Sequence, residues 1–279
     1  MSAPLAVAAT TPQVRSMETA TYPGLKVLQF PCLSDNYGFV VIDEATGMTA
    51  AIDTPDADVI ADVVDQHAGG SLDLILNTHW HPDHAGGNGA LKARYGTTII
   101  APDAEGEKIA VADRRVSDGD EVRIGESVGR VISTPGHTLG HCIYVFDQAG
   151  VAFVGDTLFN LGCGRLFEGT PSQMWSSLEK VRALPDDTTI YCAHEYTAAN
   201  AAFAVSVDPE NDQLAARQEE ISHLRAKSEP TVPFRLGNDR AVNPFLRADD
   251  EALAAHLGMA NAAPDAVFAE IRQRKDNFR

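Results

Sequence analysis

The sequence predicts an α/β fold followed by a smaller helical region, and three observations predict it. From Leu25 to about His194, short runs rich in Val, Ile and aromatics alternate with helical stretches. After Tyr196 the strand signals almost vanish and helical periodicity dominates. The length of 279 residues, 44% of them hydrophobic, suffices for a large core plus an appendage.

The strand candidates are residues 26–30, 39–43, 49–52, 72–78, 97–100, 129–133, 142–146, 151–155 and 188–192, each bounded by Gly, Pro, Asp or Asn. Between them, residues 58–67, 87–95, 104–112 and 172–184 read as helices. In the last of these, Met174, Leu178 and Val181 keep a helical spacing after the Pro171-Ser172 start. Beyond Tyr196, helices are expected over 198–207, 211–227, 249–256 and 265–275, separated by joints at Glu229–Pro233 and Asn243-Pro244.

The formal net charge of −17 argues against nucleic acid or an anionic membrane as partner, because phosphate binding needs a basic field. No apolar run approaches a membrane span. The four cysteines form no CxxC pair, so they read as small buried hydrophobes in a reducing compartment. The first residues carry no basic residue before Arg15 and a short apolar stretch broken by Pro4, which speaks against a secretory signal. A cytoplasmic monomer is expected.

The chemistry is concentrated in Asn77-Thr78-His79-Trp80-His81-Pro82-Asp83-His84-Ala85-Gly86-Gly87, directly after an apolar strand. Pro82 pushes His81 toward extended backbone, so His79 and His81 share one face. Asp83 and His84 then open a helix. Imidazoles and a carboxylate at this spacing suit Zn, Fe or Mn. His137, Asp156 and His194 each sit just past the end of another apolar strand. Strands sharing one direction would bring all of them to one edge. His141 is the rival to His137, and its bland role is that of a buried hydrogen-bonding histidine. Seven ligands exceed what one tetrahedral ion takes, so two divalent ions with a bridging carboxylate are expected, Asp156 being the better bridge. Asp83 is open between metal ligand and general base.

These same residues carry a resemblance. The TxHxHxDH segment, His137 in GHTLGH, Asp156 in GDTLF and His194 in AHEYT resemble the metallo-β-lactamase superfamily signature. Ser34-Asp35-Asn36-Tyr37, Gly162-Cys163-Gly164, Glu168-Gly169, Asn243-Pro244-Phe245 and Arg272 through Phe278 narrow it to the glyoxalase II (hydroxyacylglutathione hydrolase) family. The resemblance runs from about Leu25 to Phe278.

It implies an αββα sandwich over residues 23–195 and a helical substrate-binding domain over 196–279, with residues 1–22 a disordered lead-in. One ion would be held by His79, His81 and His137, the other by Asp83, His84 and His194, with Asp156 bridging. Asp83 thereby becomes a ligand. Zn is the first expectation, with Fe or Mn accommodated. Glutathione would be held by Arg165, Tyr196, Arg272 and Lys275. Arg165 stands where a lysine is common in the eukaryotic form, and Phe167 where a tyrosine is common. Independently of the resemblance, Arg272, Arg274, Lys275 and Arg279 form a basic cluster on a very acidic chain.

The implied reaction is hydrolysis of S-D-lactoylglutathione and related 2-hydroxyacyl thioesters by metal-bound hydroxide, a step in methylglyoxal detoxification, in which Asp83 and Asp156 serve catalysis as ligands. A glutathione persulfide dioxygenase with a single iron is the rival enzyme. A non-catalytic binder of glutathione conjugates is the rival from another class.

Overall fold

The computed structural model describes residues 17–278. A first sheet orders seven strands in sequence: β1 (Glu18–Tyr22), β2 (Leu25–Cys32), β3 (Asn36–Asp43), β4 (Thr49–Ile52), β5 (Leu74–Leu76), β6 (Thr98–Pro102) and β7 (Arg114–Val116). The first four pair antiparallel through tight connections. From β4 onward pairing is parallel, with α1 (Ala57–His67) as the crossover between β4 and β5. Asp56 caps α1 by accepting the backbone N–H groups of Asp58 and Val59.

The second sheet is built from β8 (Glu121–Ile124), β9 (Ser127–Ser133), β10 (Cys142–Phe146), β11 (Val151–Gly155), β14 (Thr189–Cys192) and β15 (Phe234–Arg235). A separate hairpin joins β12 (Leu158–Phe159) to β13 (Gly162–Cys163). The remaining helices are α2 (Pro82–Ala85), α3 (Asn88–Tyr95), α4 (Pro171–Arg182), α5 (Thr197–Val207), α6 (Asp212–Ala226), α7 (Leu236–Arg240), α8 (Glu251–His256) and α9 (Pro264–Asn277).

Strand periodicity of two builds the layers. In β2, Leu25 and Val27 face the core shared with the second sheet, whereas Leu28 and Phe30 face α1 and α3. In β4, Ala50 and Ile52 point one way and Ala51 the other. Phe39, Phe153 and Tyr191 close the inter-sheet core, the last two stacked at 5.1 Å. Helices α1 and α3 cover the first sheet, and Met174, Leu178 and Val181 of α4 join the inter-sheet cluster together with Val267, Phe268 and Ile271 of α9. The result is the expected αββα sandwich with a helical C-terminal region.

Four local expectations change. Glu18–Tyr22 form a strand paired along β2, so the lead-in expected to reach residue 22 ends earlier, and residues 1–16 lie outside those described. The helix expected over 104–112 is a 3-10 turn over Asp103–Ile109, because Gly106 at φ +53° breaks it. The C-terminal region supplies a strand after all: Phe234 and Arg235 pair with β14 at the edge of the second sheet. Strands β7 and β8 and the β12–β13 hairpin, each of four residues or fewer per strand, were also not expected.

Candidate metal centre and substrate cavity

The extended backbone of His81 (φ −56°, ψ 149°) keeps His79 and His81 on one face, and α2 then turns Asp83 and His84 toward the same point. The other three predicted residues arrive from the second sheet: His137 after β9, Asp156 after β11 and His194 after β14. The seven fall into two triplets and a bridge. His79, His81 and His137 form one triplet, and Asp83, His84 and His194 the other.

In the first triplet, His81 Nδ1 lies 3.0 Å from both His79 Nε2 and His137 Nε2. A single proton on His81 satisfies only one of these approaches, whereas a cation among three lone pairs satisfies all of them. In the second, the Nε2 atoms of His84 and His194 are 3.5 and 3.4 Å from Asp83 Oδ2. Asp156 spans both: Oδ2 is 3.3 Å from His137 Nε2, and Oδ1 is 3.3 Å from His84 Nε2 and 3.4 Å from His194 Nε2. His84 Nε2 and Asp156 Oδ1 are buried without hydrogen-bond partners. Orphaned polar atoms in a polar cluster mark a missing partner, and a donor set of imidazoles and carboxylates fits divalent ions.

Outer contacts fix which nitrogen faces the centre. His84 Nδ1 donates to Asp53 at 2.8 Å, and Asp53 also accepts the Thr78 backbone N–H and hydroxyl, each at 2.7 Å. His194 Nδ1 donates to Asp35 at 2.8 Å, and His137 Nδ1 to the Arg165 carbonyl at 2.9 Å. Asn36 Nδ2 donates to Asp83 at 3.1 Å. Burial holds His79 and His137 below the usual imidazole range, hence neutral and ready to ligate. Burial alone would raise Asp156, but His84 and His194, which Asp156 itself pushes toward the protonated form against their burial, outweigh it; divalent ions would take the place of those protons. His141 stands behind the centre, completely buried, with Nδ1 at 2.9 Å from the Thr134 hydroxyl and Nε2 accepting the Asp156 backbone N–H at 3.1 Å.

Asp53 and Asp35 were missed as site residues in the sequence. Asp53 carried the signal used for the others, an acid just past an apolar strand. Asp35 carried none beyond its place in the Ser34–Tyr37 motif.

Beside the centre opens a cavity of about 430 Å³ lined by His137, Asp156, Arg165, Tyr196, Arg272 and Lys275, with Phe278 at its rim. All four predicted substrate residues therefore meet at one wall. Gly164 lets the chain pass there, since a Cβ would lie 2.0 Å from the Asp156 carbonyl oxygen. Tyr196 stacks on His194 at 4.7 Å. Arg272 is buried: Nη1 donates to the Cys163 carbonyl at 3.1 Å and Nη2 pairs with Asp276 at 2.8 Å. Arg165 is exposed, and Lys275 is half-buried with Nζ donating to the Ala199 carbonyl at 3.0 Å. Burial, reinforced by Arg272 and Arg165, pushes the Lys275 ammonium down to about 8. Phe167, 63% exposed, packs edge-on against His81 and His137.

Comparison with known proteins identifies the family. Two family models match: the metallo-beta-lactamase superfamily over residues 67–194 and the hydroxyacylglutathione hydrolase C-terminus over residues 195–278. A hydroxyacylglutathione hydrolase of Maricaulis maris is 54% identical over 254 residues, spanning 91% of this chain and 99% of that protein. One of Erythrobacter litoralis is 54% identical over the same length, spanning 91% and 100%. Among solved structures, ETHE1 from Myxococcus xanthus superposes with a TM-score of 0.60 at 24% identity, over 95% of this chain and all of that one. The B3 metallo-beta-lactamase BLEG-1 superposes with a TM-score of 0.59 at 20% identity, over 78% and 98%. At such identities these two establish the fold.

Proposed function

The chain belongs to the hydroxyacylglutathione hydrolase family of the metallo-β-lactamase superfamily, and on that premise we propose that it hydrolyses S-D-lactoylglutathione and related 2-hydroxyacyl thioesters of glutathione to the hydroxy acid and free glutathione. The observation that carries this reading is the cationic cavity of Arg165 and Lys275 opening directly onto two adjacent donor triplets that share Asp156.

His79, His81 and His137 hold one divalent ion and Asp83, His84 and His194 the other, zinc first, with iron or manganese accommodated by the same donors. When bound, such ions lower the pKa of a water ligand to about 7 and polarise a carbonyl. The chain's own residues supply the rest. Lys275 and Arg165 take the carboxylates of the glutathione moiety, and Tyr196, stacked on His194, lines the same cavity. Asp53, Asp35 and the Arg165 carbonyl hold three imidazoles in the tautomer that points Nε2 inward. Hydrolysis breaks the thioester C–S bond and joins a water oxygen to the acyl carbon, one water proton ending on the departing sulfur or in solvent. The thiolate leaves without prior protonation, because thiols ionise near about 8.5. The seven donors, enough for two ions, favour this reading over a single-iron dioxygenase.

Among the described residues no helix is long and apolar enough to cross a membrane; we place the activity in the cytoplasm, carried out by a monomer. The test is steady-state hydrolysis of S-D-lactoylglutathione beside the same acyl group on a small uncharged thiol. Loss of two charge-assisted contacts at about 1.5–3 kcal/mol each predicts at least about 100-fold lower kcat/KM for the small thioester. Binding of S-substituted glutathione without turnover by the metal-loaded protein would identify a binder instead.

A further inference from the structure

Residues 165–169 form a strap whose Arg165 faces the cavity, and this strap is laced to the loop that carries His137. Phe167 N donates to the His137 carbonyl at 3.2 Å, Gly169 N to the Gly136 carbonyl at 3.0 Å, and His137 Nδ1 to the Arg165 carbonyl at 2.9 Å. The Glu168 side chain, 20% exposed, is not among the residues lining the cavity and makes no hydrogen bond to any of the seven donors. Its two oxygens nevertheless reach both segments of the first triplet. Oε1 accepts the Trp80 indole N–H at 3.0 Å and Lys108 Nζ at 2.6 Å, and Oε2 accepts the Leu139 backbone N–H at 2.9 Å. Trp80 lies between His79 and His81, and Leu139 lies two residues after His137. Lys108 closes the cluster, its ammonium 5.0 Å from the centre of the Trp80 ring.

We propose that Glu168 is a positioning residue, pinning the substrate strap, the His79–His81 segment and the His137 loop in one register. The inference rests on the reading that His79, His81 and His137 hold one of two ions. Only an ionised carboxylate suits the place: three donors converge on it, and it presents acceptors alone. Glutamine would keep one carbonyl acceptor and turn an NH2 toward either Trp80 or Leu139, leaving one of them unsatisfied.

The test uses the full-length, metal-loaded protein and reads two quantities: the release of each ion to a chromogenic chelator, and KM separately from kcat. Glu168→Ala is expected to release one of the two ions about 10-fold faster, as loss of an outer partner does, and the other at the wild-type rate. It should also raise KM through Arg165. Glu168→Gln should fall between, and Trp80→Phe, which removes only the indole donor, should accelerate the same ion. Wild-type release of both ions with unchanged KM in Glu168→Ala would overturn the proposal, as would equal acceleration of both ions. Should Glu168→Ala not fold, Glu168→Gln and Trp80→Phe carry the same comparison, and wild-type release in both would overturn it. Wild-type protein that binds no pair of ions would instead remove the functional reading beneath it.

Discussion

Replacing Arg272 with Met separates two roles that the basic C-terminal cluster combines. Arg272 is 6% exposed, and the hydrogen bonds it makes go to the Cys163 carbonyl and to Asp276. Met keeps the alkyl stem and removes the donors. The Cys163 carbonyl then loses its Arg272 donor next to β13, costing about 1–3 kcal/mol. The contact of the guanidinium with the Phe245 ring at 5.1 Å adds about 1 kcal/mol. Asp276, whose side chain is 46% exposed, is rehydrated at little cost. The sum is about 3 kcal/mol, or about 6 °C in Tm for a chain of this size. Because β13 leads into Gly164 and Arg165, KM for the glutathione thioester should rise as well. Lys275→Met is the contrast. It should raise KM about 10-fold or more through loss of a charged contact, with a fall in Tm of about 4 °C or less, since its half-buried ammonium bonds a single carbonyl and faces the Phe203 and Phe278 rings at 5.4 and 5.7 Å. Calorimetry and steady-state kinetics on both variants decide the matter. An Arg272→Met protein with wild-type Tm and raised KM would refute the assignment of the guanidinium to the hairpin.

Lys275, pushed down to about 8 chiefly by burial, binds a carboxylate only while protonated, so KM should climb as pH rises above about 8; Lys275→Arg should flatten that climb, and a flat wild-type KM from pH 7 to 9.5 would contradict it. Asp239 is fully buried, and burial raises it from 3.8 to about 7 although Asn243 and the Leu161 N–H favour its ionised form. The folded state therefore binds this proton more tightly than the unfolded chain, a contribution complete below about pH 4 and lost as pH rises through about 7. Urea unfolding at pH 5 and pH 8 should show Asp239→Asn gaining on wild type by a few kcal/mol with rising pH, and a pH-independent difference would sink the assignment. Asp35→Ala frees His194 to rotate and should weaken one ion about 10–100-fold, read by titration of the metal-free protein; unchanged affinity for both ions would remove Asp35 from the site.

Much of the metal centre was legible because each donor follows an apolar strand, and strand ends on one edge of a sandwich converge. His79 and His81 were placed by period two and by Pro82, and α2 was placed by the same proline. What stayed hidden depends on contacts distant in sequence. Asp53 sits past an apolar strand as the ligands do, but that signal does not separate a ligand from a residue that orients one 31 positions away, and the 159 residues between Asp35 and His194 lie beyond any spacing rule. Strands β1 and β15 escaped because short polar segments such as Glu-Thr-Ala-Thr-Tyr become strands by pairing, with β2 and β14 supplying partners that propensity does not see. The turn at Gly106 defeated the helix expected over 104–112, since one residue at positive φ interrupts an otherwise helical composition. Arg272 was expected to hold glutathione from the family resemblance, with the basic cluster as a separate sign; it lines the cavity, and its hydrogen bonds go to Cys163 and Asp276.

The two donor triplets joined by Asp156 would hold two ions, and hydrolysis of a glutathione thioester would need both. Metal content and S-D-lactoylglutathione hydrolysis measured on the same preparations, as ions are returned stepwise to metal-free protein, test it most directly. Activity should rise with metal content to a plateau at two ions per chain and be lost in Asp156→Ala. Two bound ions without hydrolysis would contradict it, as would one iron per chain with oxygen uptake.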